Sequence, residues 1–337
     1  MRKLFIICFL IVPALFLYSQ QSVFEYVEGE VSIKRISGDF VSAEIGDSLI
    51  PGDSVITGLD GFAELSLESS SKITINNDTV FVFSQREKKE EKKSIFMIVL
   101  GKIGFKFDRL LHEPDIQTPA SIAGVRGTEF IVVSALDGSA LYVVSEGSVA
   151  VESEGGLVVL ETAEGVSVPL GETPGEKYEV KIGSEDFSAW LKRGQEEFLK
   201  NPTAVLSRIS DKLQEYSYQA GDFYNMYEIS SEELTVMREK LFEIGDEQGN
   251  EAKSIFYQSD VFPKEIQTSN LVLNYRFYAL SALSLRRHVL GPMYVAMKTK
   301  YITDSQNVRF LDFLDEYERF LRIFEKDVVP YLVEADI

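Results

Sequence analysis

Two histidines, His112 and His288, are the only imidazoles in this chain. A histidine-centred triad or a histidine-rich metal site needs an imidazole beside a nucleophile or beside other ligands. These two lie in stretches of different character. His112 sits in a polar segment with Glu113 and Asp115, where a solvated ring is expected. His288 follows Arg286 and Arg287 and is expected on a boundary face of a helix. The one cysteine, Cys8, lies inside an apolar run near the start, so thiolate chemistry and cysteine metal sites are not expected of the rest. Carboxylates are plentiful, and a paired-carboxylate glycosidase is not excluded by counting them. Yet Trp190 is the only tryptophan, which gives little aromatic platform for a glycan. No glycine-rich phosphate loop is present. Asp137-Gly138 and Asn76-Asn77-Asp78 lack the ligand count of a calcium loop, and turn chemistry explains both. The expectation is a non-enzyme with no cofactor and no metal.

Charge narrows the partners. The chain carries 34 basic and 53 acidic residues, a net of −19. Nucleic-acid phosphates and anionic lipid both call for basic surface, so neither is expected as a partner. Arg2 and Lys3 precede an uncharged apolar run from Leu4 to Tyr18, closed by Ser19. A positive start, a short apolar run and a small-residue exit describe a secretory signal peptide over residues 1–20. The run is short for a bilayer span, which needs about 20 residues. Cleavage, extracytoplasmic (periplasmic) location and no remaining membrane span are therefore expected, with retention as an anchor the alternative.

The elements that must position any site come in two kinds. From residue 21 to 183 apolar residues alternate with polar ones. Ala63, Leu65 and Leu67 alternate with Glu64, Ser66 and Glu68; β-branched and aromatic runs recur at Thr79–Phe83, Phe130–Val133, Leu141–Val144 and Val149–Val151. Asp60-Gly61, Asp137-Gly138 and Glu146-Gly147 separate them as turns, the first two as hairpins. This predicts an all-β sandwich, barrel or solenoid. The charged run from Arg86 to Lys93 reads as a solvated loop or the tip of a protruding hairpin.

From residue 184 to 337 the period becomes that of a helix. Asn201-Pro202 reads as a cap and first helical position. Ser230 to Glu233 reads as a capping box, with Ile229 and Leu234 as its staple. Gly291-Pro292 should stop or kink the segment that begins near Lys264. Phe310, Phe313, Tyr317, Phe320 and Phe324 share one face. Five or six helices in a bundle are expected, with the many tyrosines of this half mostly in its core.

Two stretches of the β half carry specific motifs. The first runs Gly52, Asp53, then Thr57 and Gly58, then Gly61 leading into Ala63 and Leu65. The second runs Thr118-Pro119, then Gly124, Val125, Arg126, Gly127, Thr128 and Phe130. Glu146-Gly147 leads into Val149 and Val151. In this order the set resembles the FecR domain over roughly residues 45–170. The resemblance implies an extracytoplasmic all-β module of short strands that receives a signal by protein contact. The family's cytoplasmic anti-sigma segment and membrane helix do not match the start of this chain, so direct control of a sigma factor is not expected. In the residues themselves, Val125 and Phe130 supply packing, and Thr118-Pro119 breaks a ladder. Arg126 has two readings: a strut that holds carbonyls or a carboxylate such as Glu129 or Glu146, or a partner contact.

The expected function is a non-catalytic FecR-like module that binds another envelope protein, of unknown identity, in envelope signalling or organisation. The alternative is a cell-wall or surface glycan-binding protein.

Overall fold

The computed structural model describes residues 22–67, 71–88, 91–108, 113–125, 127–183 and 186–335. The expected signal peptide, His112 and Arg126 lie outside the described residues. Strands fill the first part and helices the second.

The seventeen strands are β1 (Ser22–Glu28), β2 (Val31–Lys34), β3 (Phe40–Ser42), β4 (Ser48–Leu49), β5 (Ser54–Thr57), β6 (Phe62–Ser66), β7 (Lys72–Ile75), β8 (Val80–Lys88), β9 (Glu91–Lys106), β10 (Asp115–Gln117), β11 (Ile122–Val125), β12 (Glu129–Ser134), β13 (Ala140–Glu146), β14 (Val149–Ser153), β15 (Gly156–Leu160), β16 (Glu164–Val168) and β17 (Tyr178–Glu179). They pair in two ladders. One has the order β4-β1-β6-β7-β9-β12-β13-β16-β17. The other has the order β3-β2-β5-β8-β9-β10-β11-β14-β15. Among the described residues only β9 belongs to both. Its first half pairs with β8 and β10, and its second half, from Gly101, pairs with β7 and β12. Gly101 makes the passage possible. Its φ is 94°, and a Cβ there would stand 2.3 Å from Thr79 Oγ1. No other residue fits that corner.

Apolar alternation drives this pairing. Phe81, Phe83, Phe96, Phe105 and Phe130 are fully buried, and Phe105 stacks on Phe130 with centroids 5.0 Å apart. Asp137-Gly138 forms the β12–β13 hairpin, with Gly138 at φ 80°. Asp60-Gly61 does not form a hairpin. It joins β5 to β6, which belong to different ladders.

The helices are α1 (Phe187–Lys200), α2 (Pro202–Phe256, broken at Gly249), α3 (Phe262–His288), α4 (Leu290–Lys300), α5 (Val308–Ile323) and α6 (Val329–Glu334). Wider π turns at Tyr257–Val261 and Phe324–Val328 link α2 to α3 and α5 to α6. α2 begins at Pro202 after Asn201, as the sequence predicts, although the Asn201 side chain turns back to Glu197. The capping box at Ser230 is not formed. Ser230 lies inside α2, and its hydroxyl meets Thr268 Oγ1 of α3 at 2.8 Å. Helical continuity there is set by packing along α3, which outweighs a local cap signal. Ile229, assigned to the staple, is exposed. The break before Gly291-Pro292 occurs at Val289, between α3 and α4.

Buried apolar residues of both parts form one continuous cluster, from Phe24 through Phe130 to Phe313 and Leu332. α3 packs on β8 and β9, and α1 on β12. Gly194 of α1 makes the latter contact close, since a Cβ there would lie 2.6 Å from Ala135 Cβ.

Candidate functional site

The motif residues fall into two groups. The larger group is internal. Asp53 is fully buried, accepts from Arg35 Nη1 at 2.7 Å, and receives the backbone N–H of Ile36 and of Ile50. A buried carboxylate with three donors is a stable anchor for two turns at once. Gly52 carries φ 103°, and a Cβ on it would meet Ile36 at 2.5 Å. Thr57 Oγ1 donates to Asn76 O at 2.6 Å and accepts from Thr79 N at 2.9 Å. Gly58 and Gly61 lie under Glu30; a Cβ on Gly61 would stand 2.2 Å from Glu30 O. Gly61 does not carry a positive φ, so close approach is its reason for being glycine.

The second stretch repeats this logic. Thr118 Oγ1 accepts from Ser121 N at 3.1 Å, and Ser121 Oγ meets Tyr142 Oη at 3.0 Å. Burial pushes the Tyr142 phenol up to about 12. Pro119 and Phe130 are buried. Thr128 is buried against Gly147, whose Cβ would lie 2.7 Å from the Thr128 methyl. Glu129, one carboxylate considered for Arg126, pairs with Lys106 at 3.0 Å.

The smaller group faces outward: Gly124, Gly127 and Glu146 are exposed. Among the described residues no atom lies within 4 Å of where a Cβ on Gly124 or Gly127 would be. Gly124 sits in β11, opposite Ala150 of β14, which sits opposite Val159 of β15. One register step away, Ile122, Glu152 and Leu157 form the next row. Directly paired residues share a face, so Gly124, Ala150 and Val159 line one shallow outward strip, with Ile122 and Leu157 beside it. Leu157 is 67% exposed and Val159 44%. The strip is low, apolar and built on ladder strands. A strand glycine with open space above it lets a foreign backbone come close. β15 ends its ladder, and Lys177 Nζ caps the Val159 carbonyl at 3.2 Å.

The rest of this sheet face is occupied from within. Asp115 is buried under Arg86, at 2.9 Å, and Lys93. The Arg86 guanidinium lies 5.3 Å from the centre of the Phe277 ring of α3. The charged run from Arg86 to Lys93 reads in the sequence as a solvated loop or the tip of a protruding hairpin. Its described part pairs β8 with β9 out to Lys88 and Glu91, but Arg86 and Lys93 are committed to a buried carboxylate. Sequence gave no sign of that, because Asp115 stands well apart in the chain.

A cleft of about 650 Å³ lies between α1 and the β12–β13 and β16 turns. Trp190, Arg193, Arg208 and Asp137 line it. Its polar groups are largely used: Trp190 Nε1 donates to Ser167 Oγ at 3.2 Å, and Asp137 accepts from Ser139 N and Oγ. His288 is buried and not on a boundary. Desolvation, then Lys34 and Arg287, hold its pKa down to about 4. Among the described residues no group of three or more His, Cys, Asp or Glu is arranged to hold a metal ion. No helix among them is long and apolar enough to cross a membrane.

Residues 53–150 match the family model described as FecR protein. No curated protein matches the chain. Among solved structures, a candidate anti-sigma factor from Parabacteroides distasonis is 18% identical, with a TM-score of 0.33 over 41% of this chain. The chain spans 64% of that structure's length. A structure described as a cell surface anchoring domain is 20% identical, with a TM-score of 0.18, over 19% of this chain and 84% of its own. The helical part, from α1 onward, lies outside the family match.

Proposed function

We propose, from the FecR domain that this chain carries at residues 53–150, that it is a non-catalytic extracytoplasmic module that binds another envelope protein, in envelope signalling or organisation. The observation that carries this reading is the strip Gly124–Ala150–Val159. Of the other motif glycines, Gly52, Gly58, Gly61 and Gly147 are accounted for by contacts inside the fold, and Gly127, which also has open space, by its φ of 57°. Gly124 is not, and its open space suits close approach from outside. We read the two ladders around one aromatic core as the sandwich form of the module, and the helices as a bundle packed against β8, β9 and β12. The positive and apolar stretch from Arg2 to Tyr18 supports the extracytoplasmic part of this reading.

Envelope extract passed over immobilised chain tests the reading. The wild type should retain a defined protein that Gly124→Arg does not. Retention of the same proteins by both would sink it. The glycan alternative is favoured by the cleft beside Trp190. Co-sedimentation with purified peptidoglycan, lost in Trp190→Ala, would replace the first reading with that one.

A further inference from the structure

The distal part of the α2–α3 hairpin is an arm with little core of its own. Leu234, Leu241 and Val261 are its buried apolar residues, with Met237 and Phe256 against them. From Glu228 to its break at Gly249 α2 runs for about 30 Å at 1.5 Å per residue. Two helices alone bury one seam and leave the flanks wet. One flank can be traced by its contacts. Arg238 of α2 pairs with Glu265 of α3, and Tyr257 donates to the same carboxylate at 3.1 Å. Phe242 lies one turn beyond Arg238, and Ile266 one turn beyond Phe262, so each shares its neighbour's side of the helix. Tyr257 touches Phe262, with centroids 6.1 Å apart. Phe242, Tyr257, Phe262 and Ile266 thus stand on one face around the Arg238–Glu265 pair. All four are exposed, Phe242 to 64%.

Charge selects the occupant. Residues 228–266 hold 10 acidic and 4 basic residues, a net of −6. Arg238 and Lys264 are already paired, with Glu265 and Glu233. Lys253 lies over the Phe242 ring. A second copy of the arm would bring like charge against like. A helix with an apolar stripe and basic flanks would cover the aromatic face and meet the unpaired carboxylates.

We infer that this face of the arm docks a basic amphipathic helix of a partner protein. The inference rests on the interaction reading and gives it a second contact, separate from the Gly124 strip. A synthetic peptide of leucine and lysine only, with leucines at helical spacing, is titrated into the full chain and followed by fluorescence anisotropy. The wild type should bind it. Phe242→Ser/Phe262→Ser, which leaves the charge unchanged, should bind at least about tenfold more weakly. Val236→Ser, on the outer side of α2, should bind as the wild type does. Ile266→Asn alone carries the test if the double variant does not fold. Equal binding by all variants means that charge alone attracts the peptide, and that result, or no binding, overturns the inference. So does self-association of the wild type that the double variant abolishes. Gly124→Arg should keep full peptide binding, so loss of the β-strip reading and loss of this one are told apart.

Discussion

Gln117 Nε2 of β10 donates to Tyr216 Oη of α2 at 2.8 Å, in a buried site where the β part meets the helices. Both groups are out of water, so each depends on the other. Tyr216→Phe should cost about 1–3 kcal/mol, because it strands the Gln117 amide. Denaturant unfolding followed by far-UV circular dichroism and by Trp190 fluorescence checks this. With one continuous core, both signals should change in a single transition, and two separated transitions would show independent halves.

The motif glycines should separate by cause. Gly61→Ala forces a Cβ to 2.2 Å from Glu30 O, on backbone that cannot swing aside. A loss of about 2 kcal/mol or more is expected. Gly124→Ala meets nothing and should change stability by less than about 0.5 kcal/mol. Thermal melts of the two variants side by side decide it.

Asp53 should be the least replaceable polar residue of the domain. Asp53→Ala leaves Arg35 without its carboxylate and two backbone N–H groups without an acceptor. About 3 kcal/mol is expected. Arg35→Ala should cost less, and the double variant should cost less than the two single losses together, which a double-mutant cycle reads directly.

His288 should make the fold sensitive to acid. In the unfolded chain its pKa is near the ordinary 6.5; in the fold burial first, and then Lys34 and Arg287, hold it at about 4. Between these values the unfolded state takes up a proton that the folded state refuses. The contribution is full above pH 6.5 and is lost as pH falls toward 4, by about 3 kcal/mol in all. His288→Leu should flatten stability measured across that window. An unchanged slope would show that the ring is not kept neutral.

Much of this arrangement is legible in the sequence. Alternation finds β6, which has one face in the core, and β-branched or aromatic runs find β8, β12, β13 and β14, of which β8 and β13 are buried on both faces. Asn201-Pro202 marks the start of α2, and the aromatic face of α5 follows from its spacing. The errors share a cause. Ser230 to Glu233 carries every local sign of a helix start, yet tertiary packing on α3 runs the helix through it. Asp60-Gly61 has the chemistry of a hairpin but joins two ladders, since Glu30 approaches from the distant β1–β2 turn. The Arg86–Asp115–Lys93 cluster and the Gly124–Ala150–Val159 strip depend on strand register across ladders, which local pattern does not encode. One signal was available. Glu28-Gly29-Glu30-Val31 and Glu146-Gly147-Ser148-Val149 are alike, and both turn from one ladder to the other, Gly29 against Asp60 and Gly147 against Thr128.

The most direct measurement places a photo-crosslinking residue at Leu157, inside living cells. Leu59, which is also exposed and lies away from the strip, serves as the control position. The account predicts one dominant protein adduct from position 157, absent from position 59 and lost when Gly124→Arg is added. Matching adducts from both positions, or a 157 adduct that survives Gly124→Arg, would contradict it.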